Sequence, residues 1–244
     1  MKRRMIAMGL AVVTVVACVI GVTQTAFGDS GDRIDELVAL NPGSTRVEME
    51  AAVDAYVSAS GASRDEVIEQ AIAEGRQSVA AAQQARVVDR SVRGSEATVA
   101  LGKGRSKGDI FISPSKTLVY EHGHTGIYFD TSTIVEAPGP GELSRSTSAL
   151  TRQIARGTVK AITLVSNAEA ASAGKYAYDS LRGKPYNYIF AFNRDADGSS
   201  MNCSQLVWAA YIKTVGIDLD SDGGPGVYPY DIKNSYWLGL YETL

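Results

Sequence analysis

Cysteine and histidine are both scarce in this sequence. Its 244 residues contain two cysteines, Cys18 and Cys203, and two histidines, His122 and His124. Basic residues are not in excess either, because 24 lysines and arginines stand against 27 acidic residues, and no basic tract occurs outside the extreme N-terminus. Nucleic acid is therefore not an expected partner. What is present, 45% hydrophobic and 21% charged residues, is ordinary for a globular chain long enough to bury a core.

The N-terminus has the pattern of an export signal. Three basic residues precede an apolar stretch from about residue 5 to residue 22, and acidic, polar sequence follows Gly28. This pattern is typical of a secretory signal peptide spanning 1–28. Its removal would change the formal net charge from −3 to −6, since three basic and no acidic residues are lost. Two alternatives stay open: a retained membrane anchor, or lipidation at Cys18, which ends a lipobox-like stretch. All three place the protein outside the cytoplasm or at the cell surface.

Signal removal would leave Cys203 as the one cysteine of the mature chain, so no internal disulfide can form. The residue begins the segment CSQLVWAAY, which is predicted to be a helix that ends near Gly216. A helix N-terminus lowers the pKa of a thiol. Cys203 is therefore either a buried small hydrophobe or a reactive nucleophile.

Residues 29–94 are predicted to be helical. Thr45 with Glu48 and Ser63 with Glu66 match the capping-box pattern, and each precedes apolar residues at helical spacing. Three helices are expected, the last running to about Val87. No cluster of chemically active residues occurs here, so this region is interpreted as a packing or regulatory appendage.

Residues 95–244 are predicted to form an α+β domain with an antiparallel sheet. A hairpin turn is expected at 130–133, and Ser166 with Glu169 should cap a helix that runs through Leu181. The predicted strands are Ala97–Leu101, Asp109–Ile112, Thr117–Glu121, Thr125–Phe129, Ile134–Ala137 and Thr158–Val165.

A cysteine nucleophile needs a base, and both histidines lie in the stretch EHGHTGIYF, before Cys203. A Cys/His pair would therefore have the histidine first in the chain.

Several short motifs, taken together, resemble one family. In their joint order they are similar to the circularly permuted branch of the NlpC/P60 papain-like cysteine hydrolases, and within it to the YiiX/YycO-like relatives of cell-wall hydrolases. The resemblance covers about residues 95–235 and leaves the N-terminal helices unexplained. The motifs are Gly108-Asp109-Ile110, His124-Thr125-Gly126-Ile127-Tyr128, Val135-Glu136-Ala137, Gly183-Lys184-Pro185-Tyr186, Asn202-Cys203-Ser204-Gln205-Leu206-Val207-Trp208 and Pro229-Tyr230-Asp231-Ile232.

This resemblance implies a permuted papain-like fold, with an antiparallel sheet or barrel packed on helices, and a catalytic set. Cys203 would be the nucleophile, His124 the general base and acid, and Glu136 the group that orients the imidazole. Tyr186 would line the substrate site, although a core tyrosine explains it nearly as well. His122 as the base and Glu136 as a solvated strand carboxylate remain alternatives. Relatives of the NlpC/P60 type carry an aspartate where this chain has Asn202.

Two Asp-rich stretches resemble the first half of a calcium-binding loop. Asp218, Asp220 and Asp222 form one, and 193–198 nearly forms the other. Neither has the glutamate expected at the twelfth position, so Asx turns explain them better and calcium is only a weak candidate. No other cofactor is expected.

The sequence thus predicts an exported cysteine hydrolase that cleaves amide bonds, with cell-wall peptide as the leading substrate. Two alternatives are a lipid-directed amidase or acyltransferase of the same fold and a non-catalytic wall-binding module. The intact set of Cys203, His124 and Glu136 argues against the non-catalytic module.

Overall fold

The computed structural model describes residues 30–93, 98–114 and 122–244. The expected signal peptide, Cys18 and the strand expected at 117–121 lie outside the described residues. None of the described helices is both long enough and apolar enough to span a membrane.

Three helices form the N-terminal region, as the capping patterns predicted: α1 (Ser30–Leu40), α2 (Arg46–Ser60) and α3 (Arg64–Arg93). Both capping boxes form. Thr45 and Glu48 satisfy each other's backbone N–H groups, and the Glu66 backbone donates to the Ser63 hydroxyl at 3.2 Å. The third helix runs past Val87 because its Ala- and Gln-rich stretch contains no helix breaker. These helices bury a core of their own, which includes Leu37, Met49 and Ile68.

Eight strands follow among the described residues, and six of them form one antiparallel sheet in the order β5-β4-β3-β2-β7-β8. The remaining pair, β1 and β6, forms a two-stranded sheet. The strands are β1 (Thr98–Ala100), β2 (Ile110–Ser113), β3 (His124–Tyr128), β4 (Thr133–Glu136), β5 (Arg145–Ser148), β6 (Gln153–Ala155), β7 (Val159–Thr163) and β8 (Leu238–Thr243). The sequence did not predict β5, β6 and β8. They lie at sheet edges and are polar, short or partly exposed, so they lack the apolar run that marks a buried strand.

Helices α4 (Asn167–Ser180) and α5 (Cys203–Thr214) pack on each other and on β3. The capping box of Ser166 and Glu169 begins α4 as predicted. A short helix, α6 (Pro229–Asn234), was not predicted as a helix, although its residues belong to the family motif. Every residue of α5 from Cys203 to Tyr211 is buried. The predicted α+β class is confirmed.

A glycine allows the sheet to approach α4 closely. Gly108, just before β2, has φ +83, and a Cβ at this position would lie 2.2 Å from the carbonyl oxygen of Ala170. Any other residue would be strained and would clash with the α4 backbone. The glycine of the Gly108-Asp109-Ile110 motif therefore has a packing role.

The N-terminal helices are joined to the rest of the chain by buried hydrogen bonds. The side-chain oxygen of Asn41 accepts from the backbone N–H groups of Phe190, at 2.8 Å, and Ala191, at 3.2 Å. On the other side of the junction, His122 Nε2 lies 3.0 Å from the Leu40 carbonyl oxygen. The predicted boundary between 29–94 and 95–244 falls at residues that the structure does not describe, but these contacts dock the helices firmly onto the sheet domain.

Candidate active site

The N-terminus of α5 presents Cys203 as the first residue of the helix. Asn202 is the N-cap, and its side-chain oxygen accepts from the Gln205 backbone N–H at 3.0 Å. The same oxygen accepts from Asn193 Nδ2 at 3.0 Å, so the cap belongs to a buried polar network. Asparagine serves here as well as aspartate because either side chain can accept the helix N–H bonds. The helix dipole and its free N–H groups then act on the Cys203 thiol, which is 2% exposed.

His124 and Glu136 meet across neighbouring strands. His124 Nε2 lies 2.8 Å from a carboxylate oxygen of Glu136. In the β3–β4 ladder Ile127 pairs with Val135, so one further step places Gly126 opposite Glu136 and His124 diagonally across on the same face. A Cβ on Gly126 would lie 2.6 Å from the Phe111 ring, so the glycine makes room for this ring, which packs against His124 at a centroid distance of 5.6 Å. This register was the feature that the sequence could not supply.

The Cys203 side chain completes this arrangement through its electrostatic interaction with His124. Because Nε2 of His124 bonds to Glu136, Nδ1 is the ring nitrogen that remains available to interact with the Cys203 thiol. Burial disfavours the imidazolium, yet the interactions with Cys203 and Glu136 outweigh burial and raise the pKa of His124 to about 9. Burial likewise opposes ionisation of Glu136, but His124 and Arg152 lower its pKa to about 2.

Two arginines hold the Glu136 carboxylate, and sequence reasoning missed both. Arg152 Nε lies 3.0 Å from the carboxylate, and Arg145 approaches to 3.7 Å from β5. Glu136 itself has no exposed surface, so it depends on these partners to stay ionised. Arg152 is 16 residues from Glu136 in the chain, in the turn between β5 and β6. No local motif marks it.

His122 lies in a different environment from His124. Its ring stacks on Phe190 at a centroid distance of 5.0 Å and bonds to the Leu40 carbonyl oxygen. Burial lowers the pKa of His122 to about 4, even though the bond to Leu40 favours the charged form. These contacts indicate a neutral histidine that packs the junction with α1.

Tyr186 lies in the same buried cluster as Cys203 and is 7% exposed. Its ring packs edge-on against Tyr188 at a centroid distance of 5.6 Å. The structure thus places Tyr186 in the core cluster that also contains Cys203, a position compatible with both predicted interpretations.

The three weak calcium candidates do not stay together. Asp218 accepts hydrogen bonds from Arg194 Nη2 at 2.6 Å and from Trp208 Nε1 at 2.9 Å. Asp220 and Asp222 instead lie beside Asp231 of α6.

A thiol, an imidazole and a carboxylate in this order can carry out acyl transfer. The carboxylate fixes the imidazole tautomer and favours the imidazolium, and the imidazolium in turn favours a thiolate at the helix N-terminus. The helix start also supplies backbone N–H groups that can stabilise a developing oxyanion.

Comparison with known proteins identifies the class. Residues 103–224 match the model of a family described as permuted papain-like amidase enzymes, the YaeF/YiiX, C92 family. The chain belongs to this family, and membership makes it a hydrolase of the amidase type.

The chain is also similar to individual proteins. The uncharacterized protein YycO of Bacillus subtilis (strain 168) is 30% identical over 213 residues, which cover 86% of each chain. The crystal structure of the metalloprotein YiiX from Escherichia coli O157:H7 aligns with 57% of this chain and 97% of that chain, at 15% identity and a TM-score of 0.43. The predicted YiiX/YycO-like relationship is confirmed by the family match and the YycO relative.

Proposed function

We propose that this protein is an exported cysteine amidase in which Cys203 is the nucleophile, His124 the general base and acid, and Glu136 the group that orients His124. The observation that carries the proposal is the position of His124 between two partners, with a 2.8 Å bond to Glu136 and an electrostatic interaction with Cys203. The family match to permuted papain-like amidases supports the reaction class.

The reaction would proceed in two steps. The Cys203 thiolate attacks the amide carbonyl carbon, and the His124 imidazolium donates its proton to the departing amine as the C–N bond breaks. Water then attacks the thioester, His124 accepts a proton from it, and the acid is released as the thiolate re-forms. Glu136 stays ionised throughout, because His124 and Arg152 lower its pKa to about 2.

Two further features would position the substrate. The Cys203 backbone N–H, at the first residue of α5, is a donor for the oxyanion of the tetrahedral intermediate. Tyr186, in the same buried cluster as the thiol, would form part of the wall against which the acyl group packs.

The proposed substrate is cell-wall peptide, reached by export. Basic residues followed by an apolar run in 1–28 support a signal peptide. Mass spectrometry of the protein recovered outside the cell tests this: a chain that begins at Asp29 supports cleavage, a lipid-modified Cys18 would show a lipoprotein, and an intact N-terminus in the membrane fraction would show a retained anchor.

The activity is tested with purified protein and three variants: Cys203→Ala, His124→Gln and, as a matched histidine control, His122→Phe. Each is incubated in ¹⁸O-water with peptidoglycan and, separately, with N-acyl lipids, and the products are analysed by mass spectrometry. Hydrolysis should place one ¹⁸O in the new carboxylate with the wild type and His122→Phe, and the other two variants should give no product. Equal products from wild type and Cys203→Ala would remove the cysteine mechanism, and ¹⁸O products from the lipids alone would move the substrate to that class.

Thiol reactivity gives an independent test that needs no substrate. Because the His124 imidazolium favours the thiolate, iodoacetamide should alkylate Cys203 near neutral pH at least about ten times faster than it alkylates a free thiol. His124→Gln should remove this advantage. A Cys203 that reacts no faster than a free thiol would contradict the nucleophile assignment.

A further inference from the structure

A second group of ionisable side chains lies away from Cys203, in the loop after α5 and in α6. One carboxylate oxygen from each of Asp220, Asp222 and Asp231 lies within 4.8 Å of the other two. Asp220 and Asp231 are buried, whereas Asp222 is exposed. The group therefore lies under the surface and opens to solvent at Asp222.

Glu74 of α3 brings a fourth carboxylate to this group. It is 8% exposed, and its Oε2 accepts a hydrogen bond from the Gly226 backbone N–H at 3.2 Å. Its Oε1 lies against the same loop, 1.5 Å from the position that a Cβ on Gly224 would occupy. Glu74 interacts electrostatically with all three aspartates. Glu74, Asp220, Asp222 and Asp231 are called the acidic cluster below.

Basic side chains do not balance the acidic cluster. Among the described residues, its ion pairs involve Arg194 alone, whose guanidinium bonds Asp220 and shares itself with Asp218. The other three carboxylates, those of Glu74, Asp222 and Asp231, form no ion pair with a basic residue among those described. Such a concentration of like charge at a largely buried position needs a further cation or bound protons.

The Tyr228 hydroxyl is an independent sign of a missing ligand. Tyr228 is 1% exposed, and its hydroxyl has no hydrogen-bond partner among the described residues. It lies 3.5 Å from the position that a Cβ on Gly75 would occupy, beside Glu74, and it interacts electrostatically with Glu74, Asp231 and Asp222. A buried hydroxyl that interacts with these carboxylates but bonds to none of them needs another hydrogen-bond partner.

We propose that the acidic cluster binds one Ca²⁺ ion. The donors are all carboxylate oxygens, which hard divalent cations prefer. The donor oxygens of Asp220, Asp222 and Asp231 all lie within 4.8 Å of one another, and ligand oxygens of one Ca²⁺ ion can be up to about 5 Å apart, so the three aspartates can share one ion. Ca²⁺ accepts an irregular set of oxygens, whereas Mg²⁺ demands a near-ideal octahedron. A water ligand of the ion would give the Tyr228 hydroxyl its partner.

Such an ion would join three parts of the chain that are distant in sequence. Glu74 and Asp231 lie outside residues 103–224, the family match, while Asp220 and Asp222 lie inside it. The ion would hold α3 against the loop that follows the Cys203 helix and against α6. This linkage does not depend on the proposed cysteine mechanism.

The cluster is structurally close to both sides of the candidate active site. The Val227 carbonyl, in the loop that carries the cluster, accepts a bond from the hydroxyl of Ser204, the neighbour of Cys203, at 2.6 Å. Pro229 of α6 packs near Gly123, where a Cβ would lie 3.3 Å from its Cβ. The ion would therefore stabilise the scaffold around Cys203 and His124, and the residues of the cluster would be positioning residues.

The proposal is tested by adding Ca²⁺ to purified protein that has been treated with EDTA. Calorimetry measures the binding, and thermal unfolding measures the stabilisation. We expect one Ca²⁺ per chain and a rise of about 5–10 °C in the unfolding temperature at 100 times the dissociation constant. Tb³⁺ should also bind and show luminescence sensitised by Tyr228. Asp222→Asn and Glu74→Gln should each weaken Ca²⁺ binding at least about tenfold.

Asp197→Asn is the matched control, since Asp197 is an exposed aspartate in the other loop that resembles a calcium-binding sequence. It should bind Ca²⁺ as the wild type does. Asp231→Asn is not a suitable test variant, because the Asp231 carboxylate also accepts the Tyr228 N–H at 2.8 Å and its loss can unfold α6. The exposed Asp222 is therefore the residue whose substitution tests the site. The proposal is overturned if Ca²⁺ up to about 10 mM raises the unfolding temperature no more than Mg²⁺ does, or if Asp222→Asn binds as tightly as Asp197→Asn.

Discussion

Glu136 lies 2.8 Å from Nε2 of His124 and has no exposed surface of its own. The contact spans two adjacent strands, because the register places Glu136 opposite Gly126 and His124 on the same face of the sheet. It fixes the ring so that the other nitrogen serves Cys203, and it favours the imidazolium. The pair therefore sets both the geometry and the charge of the candidate site.

The pH dependence of activity should report this pair. A raised pKa means that His124 keeps its proton up to about pH 9, so kcat/KM should fall above that value as the general acid is lost. Glu136→Gln removes the charge that favours the imidazolium, and the alkaline limb should move to lower pH while kcat falls about 10- to 1000-fold. An alkaline limb that stays in place in Glu136→Gln would contradict the assigned role.

Arg152 should stabilise the fold through Glu136. Arg152→Met leaves the buried carboxylate with the weaker Arg145 contact, and we expect a loss of about 1–3 kcal/mol in the free energy of unfolding, measured with urea. Arg145→Met is the control, because Arg145 is 46% exposed and its nearest nitrogen is 3.7 Å away. Its cost should be under about 1 kcal/mol. Equal losses would show that neither contact is specific.

Asn202 should tolerate aspartate but not alanine. Alanine removes the N-cap of α5, leaves the Gln205 N–H without an acceptor and removes one of the two acceptors of the Asn193 amide, so the free energy of unfolding should fall by about 1–2 kcal/mol. Asn202→Asp keeps the acceptor oxygen and should unfold near the wild-type denaturant midpoint. If both variants unfold at the same midpoint, capping does not explain the residue.

His122 should affect acid stability and leave catalysis intact. Its lowered pKa means that it is neutral when folded but takes up a proton when unfolded, so it costs stability as pH falls from about 6.5 towards 4. His122→Phe keeps the stacking on Phe190 and removes this titration. We expect a shallower loss of stability with acid and kcat/KM within about threefold of wild type. A loss of activity as large as in His124→Gln would make His122 a catalytic candidate instead.

Local signals account for the elements that the sequence predicted correctly. The capping boxes at Thr45, Ser63 and Ser166 predicted where three helices begin, because capping depends on residues only three positions apart. The hairpin at Asp130 was equally local, since its carboxylate accepts the Ser132 and Thr133 N–H groups. The edge strands β5, β6 and β8 escaped prediction because pairing with a neighbour, rather than their own hydrophobicity, makes them strands.

The same distinction between local and long-range signals applies to the candidate site. By itself, the sequence determined the residue types: one thiol at a helix start, histidines that precede it, and a family match that named Cys203, His124 and Glu136 as a set. Only the tertiary structure decided that Glu136 contacts His124 and that Arg152 and Arg145 hold its carboxylate. It also brought Glu74 to three aspartates about 150 residues away. The reason is physical: helix starts and turns are set by neighbours in the chain, whereas strand register and the convergence of distant charges depend on how the whole chain packs.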